Sequence, residues 1–261
     1  MDLQLKDKRI FISGSTKGIG FASALTLAKE GAEVIINGRS SESVEKALQK
    51  LRKQVPEANV SGVACDFLIV DQITELIERV GKVDVLVNNV GIFGPKDFLE
   101  IPDADWEDFY TVNVMSGVRL SRAFMPHMLA QDWGRIIFIS SESGINIPVE
   151  MIHYGMTKTA QLAISRGLAE TTKGTKVTVN SILPGPTFSE GVKEFAGIGY
   201  DASREEVEKE FFASERPTSL LQRFAEPQEV ANLVAYVASP LSSATNGAAL
   251  KVDGGVVKSA F

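Results

Sequence analysis

The sequence has one cysteine, Cys65, and only two histidines among its 261 residues. A single thiol cannot form a disulfide within the chain, which fits a reducing compartment, so a cytoplasmic location is expected. His127, His153 and Cys65 give no cluster with ligand spacing, so no metal is expected in the chemistry. Basic charge is also scarce: 27 Lys and Arg stand against 33 Asp and Glu, for a net charge of −6. A nucleic-acid-binding surface would require a basic stripe, so nucleic acid is excluded as a partner. No apolar run approaches the length of a membrane span, and the opening residues, MDLQLKDKR, are charged where a signal core would be apolar. Low-complexity stretches, long linkers and repeats of solenoid period are absent as well.

What is present is a chain that is 44% hydrophobic, enough to bury a sizeable core. Its length suits one large domain. Short apolar runs alternate with amphipathic segments. Arg9–Ile12, Glu33–Asn37, Val60–Cys65, Val83–Val87, Arg135–Ser140, Lys176–Leu183 and Ala249–Val252 read as seven strands. Phe21, Ala24, Leu25 and Ala28 recur at helical spacing after the first strand, and Gly31 closes that helix. Further helices are expected around Val44–Val55, Ile73–Val80, as one long element from Asp105 to Gln131, from His153 past Leu168, and over Pro227–Ser239. Strand–helix alternation with continuously apolar strands implies an α/β fold, a doubly wound seven-stranded parallel sheet of the Rossmann type.

Between the first strand and the first helix lies the glycine-rich turn Ser13-Gly14-Ser15-Thr16-Lys17-Gly18-Ile19-Gly20. Glycines let a backbone approach a pyrophosphate, and free amides at a helix N-terminus face the anion. Gly14, Ser15, Lys17, Gly18, Ile19 and Gly20 are therefore candidate dinucleotide-binding residues. The second strand ends in Asn37-Gly38-Arg39-Ser40, without the carboxylate that would bind a ribose 2′-hydroxyl. Arg39 offers a planar fork of donors to a 2′-phosphate and Lys17 a second cation, so NADP(H) is the expected cofactor. Ser40 or Ser41 can cap the next helix. Asp66 and Asn89, at the ends of the third and fourth strands, are placed either to touch adenine and ribose or to cap local turns.

The stretch Ser141–Lys158, SESGINIPVEMIHYGMTK, follows the fifth strand. Tyr154 and Lys158 are four residues apart and share a helix face. An adjacent ammonium favours a phenolate, and a hydroxyl at Ser141 can hold a substrate oxygen, which together are the parts for proton transfer at a carbonyl or alcohol oxygen. Asn113, an amide among apolar neighbours, reads as a satisfied interior group or as an anchor for a water or for the lysine. His153 reads as a helix-surface histidine.

In this order and at these spacings, SGSTKGIG (13–20), NNVG (88–91), Asn113, SSESG (140–144), YGMTK (154–158), PGPT (184–187) and VDGG (252–255) resemble the short-chain dehydrogenase/reductase family along nearly the whole chain. The resemblance implies an oxidoreductase with Tyr154 as acid–base, Ser141 (Ser140 the alternative) holding the carbonyl oxygen, Lys158 lowering the tyrosine pKa and binding the nicotinamide ribose, and Asn113 holding a water that links Lys158 to solvent. It places Gly91, Pro184, Gly185 and Thr187 at the cofactor, and implies a homo-oligomer, tetramer or dimer, paired through the helices that carry Asn113 and Tyr154. Two positions depart from the usual pattern, Ser13 for threonine and Val90 for alanine. Residues 187–226 are expected to form a helical substrate lid, with a charged helix near Arg204–Phe212; Phe188, Phe195, Tyr200, Phe211 and Phe212 are available to line a pocket or to pack the lid on the body, and Gly197 and Gly199 to let it move. The expected activity is reduction of a free ketone or aldehyde, or the reverse oxidation. The alternative is a 3-oxoacyl-carrier-protein reductase, whose acidic partner calls for a basic docking face; His127–Trp133 carries no Lys or Arg. A cofactor-binding sensor without chemistry is the remaining reading.

Overall fold

A computed structural model describes residues 2–189 and 203–260. Seven parallel strands, β1 (Arg9–Ile12), β2 (Glu33–Gly38), β3 (Val60–Ala64), β4 (Val85–Asn88), β5 (Gly134–Ile139), β6 (Val177–Pro184) and β7 (Ala249–Val252), form one sheet in the order 3-2-1-4-5-6-7. The order reverses between β1 and β4, and an open parallel sheet binds ligands in the crevice outside the strands' carboxyl ends at such a point. The strand and helix pattern of the sequence thus yields the doubly wound sheet it implied.

The pleat explains why the strands read as continuous apolar runs. Ile10 and Ile12, Val34 and Ile36, Val85 and Val87, Ile137 and Ile139 face one side. Phe11, Ile35, Leu86, Ile136 and Phe138 face the other. Both faces are covered, so alternate positions are apolar in both registers. Helices α1 (Gly18–Lys29), α2 (Ser41–Gln54) and α8 (Pro227–Ala238) bury Leu27, Leu51 and Val234 against the first side. Helices α3 (Val70–Val80), α5 (Ser116–Ala130) and α6 (Ile152–Thr171) bury Leu76, Phe124 and Ala169 against the second. Each fully buried aliphatic side chain contributes roughly 1.5–3 kcal/mol.

The long helix expected from Asp105 to Gln131 differs from this. It starts as α4 (Asp103–Tyr110), widens into a π-turn over Thr111–Met115, and resumes as α5. The Ser116 amide reaches back to the Thr111 carbonyl, while the Ser116 hydroxyl donates to the Val112 carbonyl at 2.5 Å. Such wide turns recur at functional sites, and this one holds Asn113.

Arg135 opens β5 and is buried. Among the described residues no carboxylate pairs with it. Its Nε donates to the Ser239 carbonyl (3.2 Å) at the C-terminal end of α8, and Nη1 donates to the carbonyls of Gly134 (2.8 Å) and Lys176 (2.9 Å). Burial pushes its guanidinium down to about 10.

Between β6 and α8 the two ends of the 187–226 stretch are stitched together. Phe188 N donates to the Ala225 carbonyl (2.7 Å) and Ala225 N to the Pro186 carbonyl (2.9 Å). Helix α7 (Arg204–Ser214) packs Phe211 and Phe212 on the buried Phe224, with centroids 5.1 and 5.4 Å apart; Phe188 lies 6.1 Å from the same ring. These three aromatics thus pack on one another's neighbour Phe224. Phe195, Gly197, Gly199 and Tyr200 lie outside the described residues.

Candidate active site

The glycine turn is shaped by its neighbours. Gly14 and Gly18 have φ of 60° and 58°, a region costly for side chains. A Cβ on Gly14 would lie 2.8 Å from Val90 Cα, and one on Gly20 would lie 2.5 Å from Asn89 Nδ2. Three polar side chains hold this geometry. The Ser13 hydroxyl accepts from the amides of Asn89 and Val90, both at 3.0 Å. Asn89 Nδ2 donates to the carbonyls of Ser13 (3.0 Å) and Gly14 (2.8 Å). Asn37 Oδ1 accepts from Gly14 N (2.9 Å), and its Nδ2 donates to the Val63 carbonyl (3.0 Å). Asn37 was not singled out in the sequence. Its signal was an amide at the end of an apolar strand.

The candidate cofactor residues therefore divide. Gly14, Gly18 and Gly20 bring bare backbone to the mouth of the crevice, and Ile19 packs partly buried against the core. Ser15 is buried, with its hydroxyl donating to the Ile12 carbonyl (2.7 Å) and accepting from Asn37 N (2.9 Å), so its side chain serves the turn. Lys17 and Arg39 are exposed on the crevice-side loops after β1 and β2. Ser40 is the N-cap of α2, its hydroxyl accepting from Ser43 N (3.2 Å). Asp66 braces its own turn, accepting from Leu68 N (3.0 Å). Asn89 holds the glycine turn rather than projecting freely. Across the crevice, Pro184 ends β6, Gly185 abuts Asp253 so closely that a Cβ would lie 2.4 Å from its carbonyl oxygen, and Thr187 Oγ1 donates to the Gly185 carbonyl (2.9 Å). A turn whose glycines leave no room for side chains at Gly14 and Gly20, the N-terminus of α1 and two exposed cations fit a phosphorylated dinucleotide.

Beyond β5 the chain assembles the second half of the site. Ser140 and Ser141 separate clearly. Ser140 Oγ donates to the Lys158 carbonyl (2.9 Å), tying α6 to β5. Ser141 caps a short 3-10 turn (Glu142–Gly144), accepting from Ser143 N (3.1 Å), and its hydroxyl lowers the Tyr154 pKa. The Tyr154 ring meets Phe93 edge-on at 6.3 Å. Desolvation pushes the phenol up to about 12; the Ser141 bond lowers it, the Glu142 charge raises it, and Arg216 lowers it. Lys158 Nζ lies 5.5 Å from the Tyr154 ring centroid, and burial pushes its ammonium down to about 7. The ammonium donates to the Ile139 carbonyl (3.0 Å) and to Gln161 Oε1 (3.3 Å). Gly91 faces the same spot, where a Cβ would stand 3.5 Å from Nζ.

Asn113 is fully satisfied. Its Oδ1 accepts from Ile92 N (2.7 Å), and its Nδ2 donates to the Ile92 carbonyl (2.9 Å) and Thr157 Oγ1 (3.0 Å). Its main-chain carbonyl takes Gln161 Nε2 at 2.6 Å. The sequence reading had missed Gln161, although a polar residue one turn past Lys158 among Ala160, Leu162 and Ala163 was the available signal. It also missed Arg216, which follows α7. Arg216 Nε donates to Glu142 Oε1 (3.0 Å) and Nη1 to Glu150 Oε1 (3.3 Å), so a nearly buried ion pair sits beside the Ser141 turn. His153 is a correction: it is buried where α4 meets α6, its ring tilted against Phe109 at 4.0 Å and edge-on to Trp106 at 5.9 Å, and burial lowers its pKa. Among the described residues no group of three or more His, Cys, Asp or Glu is placed to hold a metal, and no helix is long and apolar enough to cross a membrane.

The family model for short chain dehydrogenase matches residues 8–205. An uncharacterized oxidoreductase of Bacillus subtilis, YvrD, is 47% identical over 265 residues, covering 99% of this chain and all of its own. The 3-oxoacyl-[acyl-carrier-protein] reductase FabG of Aquifex aeolicus is 32% identical over 98% of this chain and all of its own. The crystal structure of L-sorbose reductase from Gluconobacter frateurii, complexed with NADPH and L-sorbose, superposes with a TM-score of 0.91 at 29% identity, covering 99% of this chain and 100% of that one. The chain belongs to the short-chain dehydrogenase/reductase family, and is an NAD(P)-dependent oxidoreductase of that family.

Proposed function

We propose that this protein is an NADP(H)-dependent reductase of free ketones or aldehydes, or the dehydrogenase of the matching alcohols, with Tyr154 as its acid–base. The observation that carries the reading is that Tyr154 stands with Ser141, which lowers its pKa, and with the Lys158 ammonium 5.5 Å from its ring, past the end of β5. A bound nicotinamide cofactor supplies or accepts the hydride. Ser141 holds the carbonyl oxygen next to the phenol. Tyr154, protonated at neutral pH, gives that oxygen its proton. Lys158 presents its remaining N–H to the cofactor ribose, and Asn113 holds Ile92 and Thr157 in place around it. The turn Gly14–Gly20, Gly91, Pro184, Gly185 and Thr187 receive the cofactor backbone, and Asp66 and Asn89 keep the adenine side of the crevice in shape. The stretch 187–226 serves as the substrate lid of a single domain.

Preference for NADP(H) over NAD(H) rests on Lys17 and Arg39, exposed cations at the ends of β1 and β2, and on the absence of a carboxylate at residues 37–40. The test is consumption of NADPH and of NADH against a panel of acyl thioesters, diketones, cyclic ketones, aldehydes and keto-sugars. Turnover of free carbonyls with at least tenfold preference for NADPH is expected, the discrimination that one or two charged phosphate contacts give. Selective turnover of thioesters would favour the carrier-protein reductase, a reading supported by the likeness to the Aquifex aeolicus enzyme. Tight NADPH binding with no turnover would favour a sensor.

We also read the protein as a homo-oligomer, a dimer or tetramer. Val118, Met125, Leu129, Ile164 and Leu168 line an apolar groove between α5 and α6, a surface suited to a second copy. Light scattering on the eluting protein should give a dimer or tetramer mass, and a monomer would overturn this. Cys65, buried and with its thiol pushed up to about 11 by burial, suits a reducing cytoplasm.

A further inference from the structure

Gln161 lies one turn beyond Lys158 on α6 and is buried. Both ends of its amide are engaged. Oε1 accepts from Lys158 Nζ at 3.3 Å, and Nε2 donates to the Asn113 carbonyl at 2.6 Å. That carbonyl belongs to the π-turn Thr111–Met115, whose Val112 carbonyl likewise takes a side-chain donor, the Ser116 hydroxyl. The second acceptor of Lys158 is the Ile139 carbonyl on β5. An ammonium has three N–H groups. Two are thereby fixed, and the third remains for the side on which Tyr154 and Gly91 stand.

We propose that Gln161 is a positioning residue of this enzyme: its side chain is a tethered bridge that fixes the Lys158 ammonium to the Asn113 carbonyl and does not itself carry a proton between them. The inference rests on the roles given above to Tyr154 and Lys158. Its chemistry is that of a carboxamide. A water between the ammonium and the carbonyl could accept a proton from one and release another to its neighbours. The Gln161 amide would have to be protonated at oxygen and deprotonated at nitrogen, passing through an imidic acid. The bridge therefore holds the ammonium without passing a proton along.

The charge of Lys158 depends on this contact. Burial alone pushes the ammonium down to about 7, and no charged side chain among the described residues adds to that. Tyr154 is the titratable group that faces it from α6. The packed elements bring the Ile139 carbonyl from β5 and Asn113 from the π-turn, while Glu142 and Arg216, on the Ser141 side, act on Tyr154. Gln161 Oε1 favours the charged form, so its loss lowers the value further and a carboxylate in its place raises it.

The experiment uses the full chain with Gln161→Met, similar in length but without hydrogen bonds, and Gln161→Glu. Gln161→Met should lower kcat about tenfold, the weight of one charge-assisted hydrogen bond, with KM for the carbonyl unchanged. The alkaline limb of its pH profile should move to lower pH, and that of Gln161→Glu to higher pH. Opposite displacements are what a packing role would not produce. Wild-type kcat with coincident profiles in both variants would overturn the proposal, as would displacements in the same direction. If Gln161→Met does not fold, the direction seen in Gln161→Glu decides. Tyr154→Phe is run alongside. If it is inactive while both Gln161 variants match wild type, the reading of Tyr154 stands and that of Gln161 falls. If Tyr154→Phe stays active, the acid–base assignment falls instead, and Gln161 is judged on the pH dependence of NADPH binding by fluorescence, where the same opposite displacements are expected and coincident curves reject it.

Discussion

Tyr154→Phe will lower kcat for carbonyl reduction by roughly 10²–10⁴-fold, the range general acid catalysis contributes, equivalent to about 3–5 kcal/mol of barrier. Phenylalanine keeps the ring edge-on to Phe93 and removes only the hydroxyl. NADPH binding, followed by fluorescence, should therefore be retained. Activity close to wild type would remove Tyr154 from its assigned role. The direction of the phenol's shift gives a second arm to the same measurement. With the phenol at about 12, nearly all of it is protonated at neutral pH, the form that donates to a carbonyl oxygen. Alcohol oxidation needs the phenolate. Its rate should climb with pH below that value, whereas reduction should not gain from alkali.

The second large effect concerns Arg216. Arg216→Leu should destabilise the fold by about 3–5 kcal/mol, since it leaves the Glu142 carboxylate buried without its partner. One oxygen of that carboxylate, Oε2, already lacks a hydrogen bond. Burial raises the Glu142 pKa, and Arg216 and Ser143 lower it. In the variant the value rises further. A carboxyl whose folded pKa lies above its unfolded one binds its proton more tightly when folded, so the variant should regain stability as pH falls from neutral into the carboxylate range. Adding Glu142→Gln should restore most of the loss at neutral pH. Chemical denaturation of the two single variants and the double variant checks this, and a double variant no more stable than Arg216→Leu would refute it. The pair also bears on the chemistry. Without Arg216 the phenol of Tyr154 keeps the raising influence of Glu142 and loses a lowering one, so oxidation should suffer more than reduction.

These two residues show how far the sequence could be read. Tyr154 was legible because its partners are local: Lys158 is one turn away, and Ser141 stands at a strand end whose apolar run announces it. The strands were legible because each is covered on both faces, so Phe11 or Ile35 reads as apolar as its neighbours even though it points the other way. Arg216 was not legible, because its partner Glu142 is 74 positions away, and nothing local marks either as buried. The π-turn was hidden for the same reason. Apolar periodicity runs through Val112 and Val114 unbroken, and the widening shows only in where the Ser116 amide and Gln161 side chain bond. His153 misled because a polar residue beside Tyr154 looks solvent-facing until α4 brings Phe109 and Trp106 over it. Ser15 and Asn89 were placed at the ligand by position, yet their polar atoms hold the turn that would receive it.

Arg135 bears on how the protein responds to ionic strength. Among the described residues its positive charge has no carboxylate counter-ion; the negative end of the α8 dipole and the carbonyls of Gly134 and Lys176 take that part around a buried side chain. Mobile ions screen charges that solvent can reach, as in the exposed pair Lys46–Glu42 at 2.6 Å, and leave buried ones largely alone. The join between β5, β6 and the end of α8 is thus a charged contact that salt does not loosen, so the sheet keeps its inner edge in brine as in dilute buffer while the surface pairs around it fade.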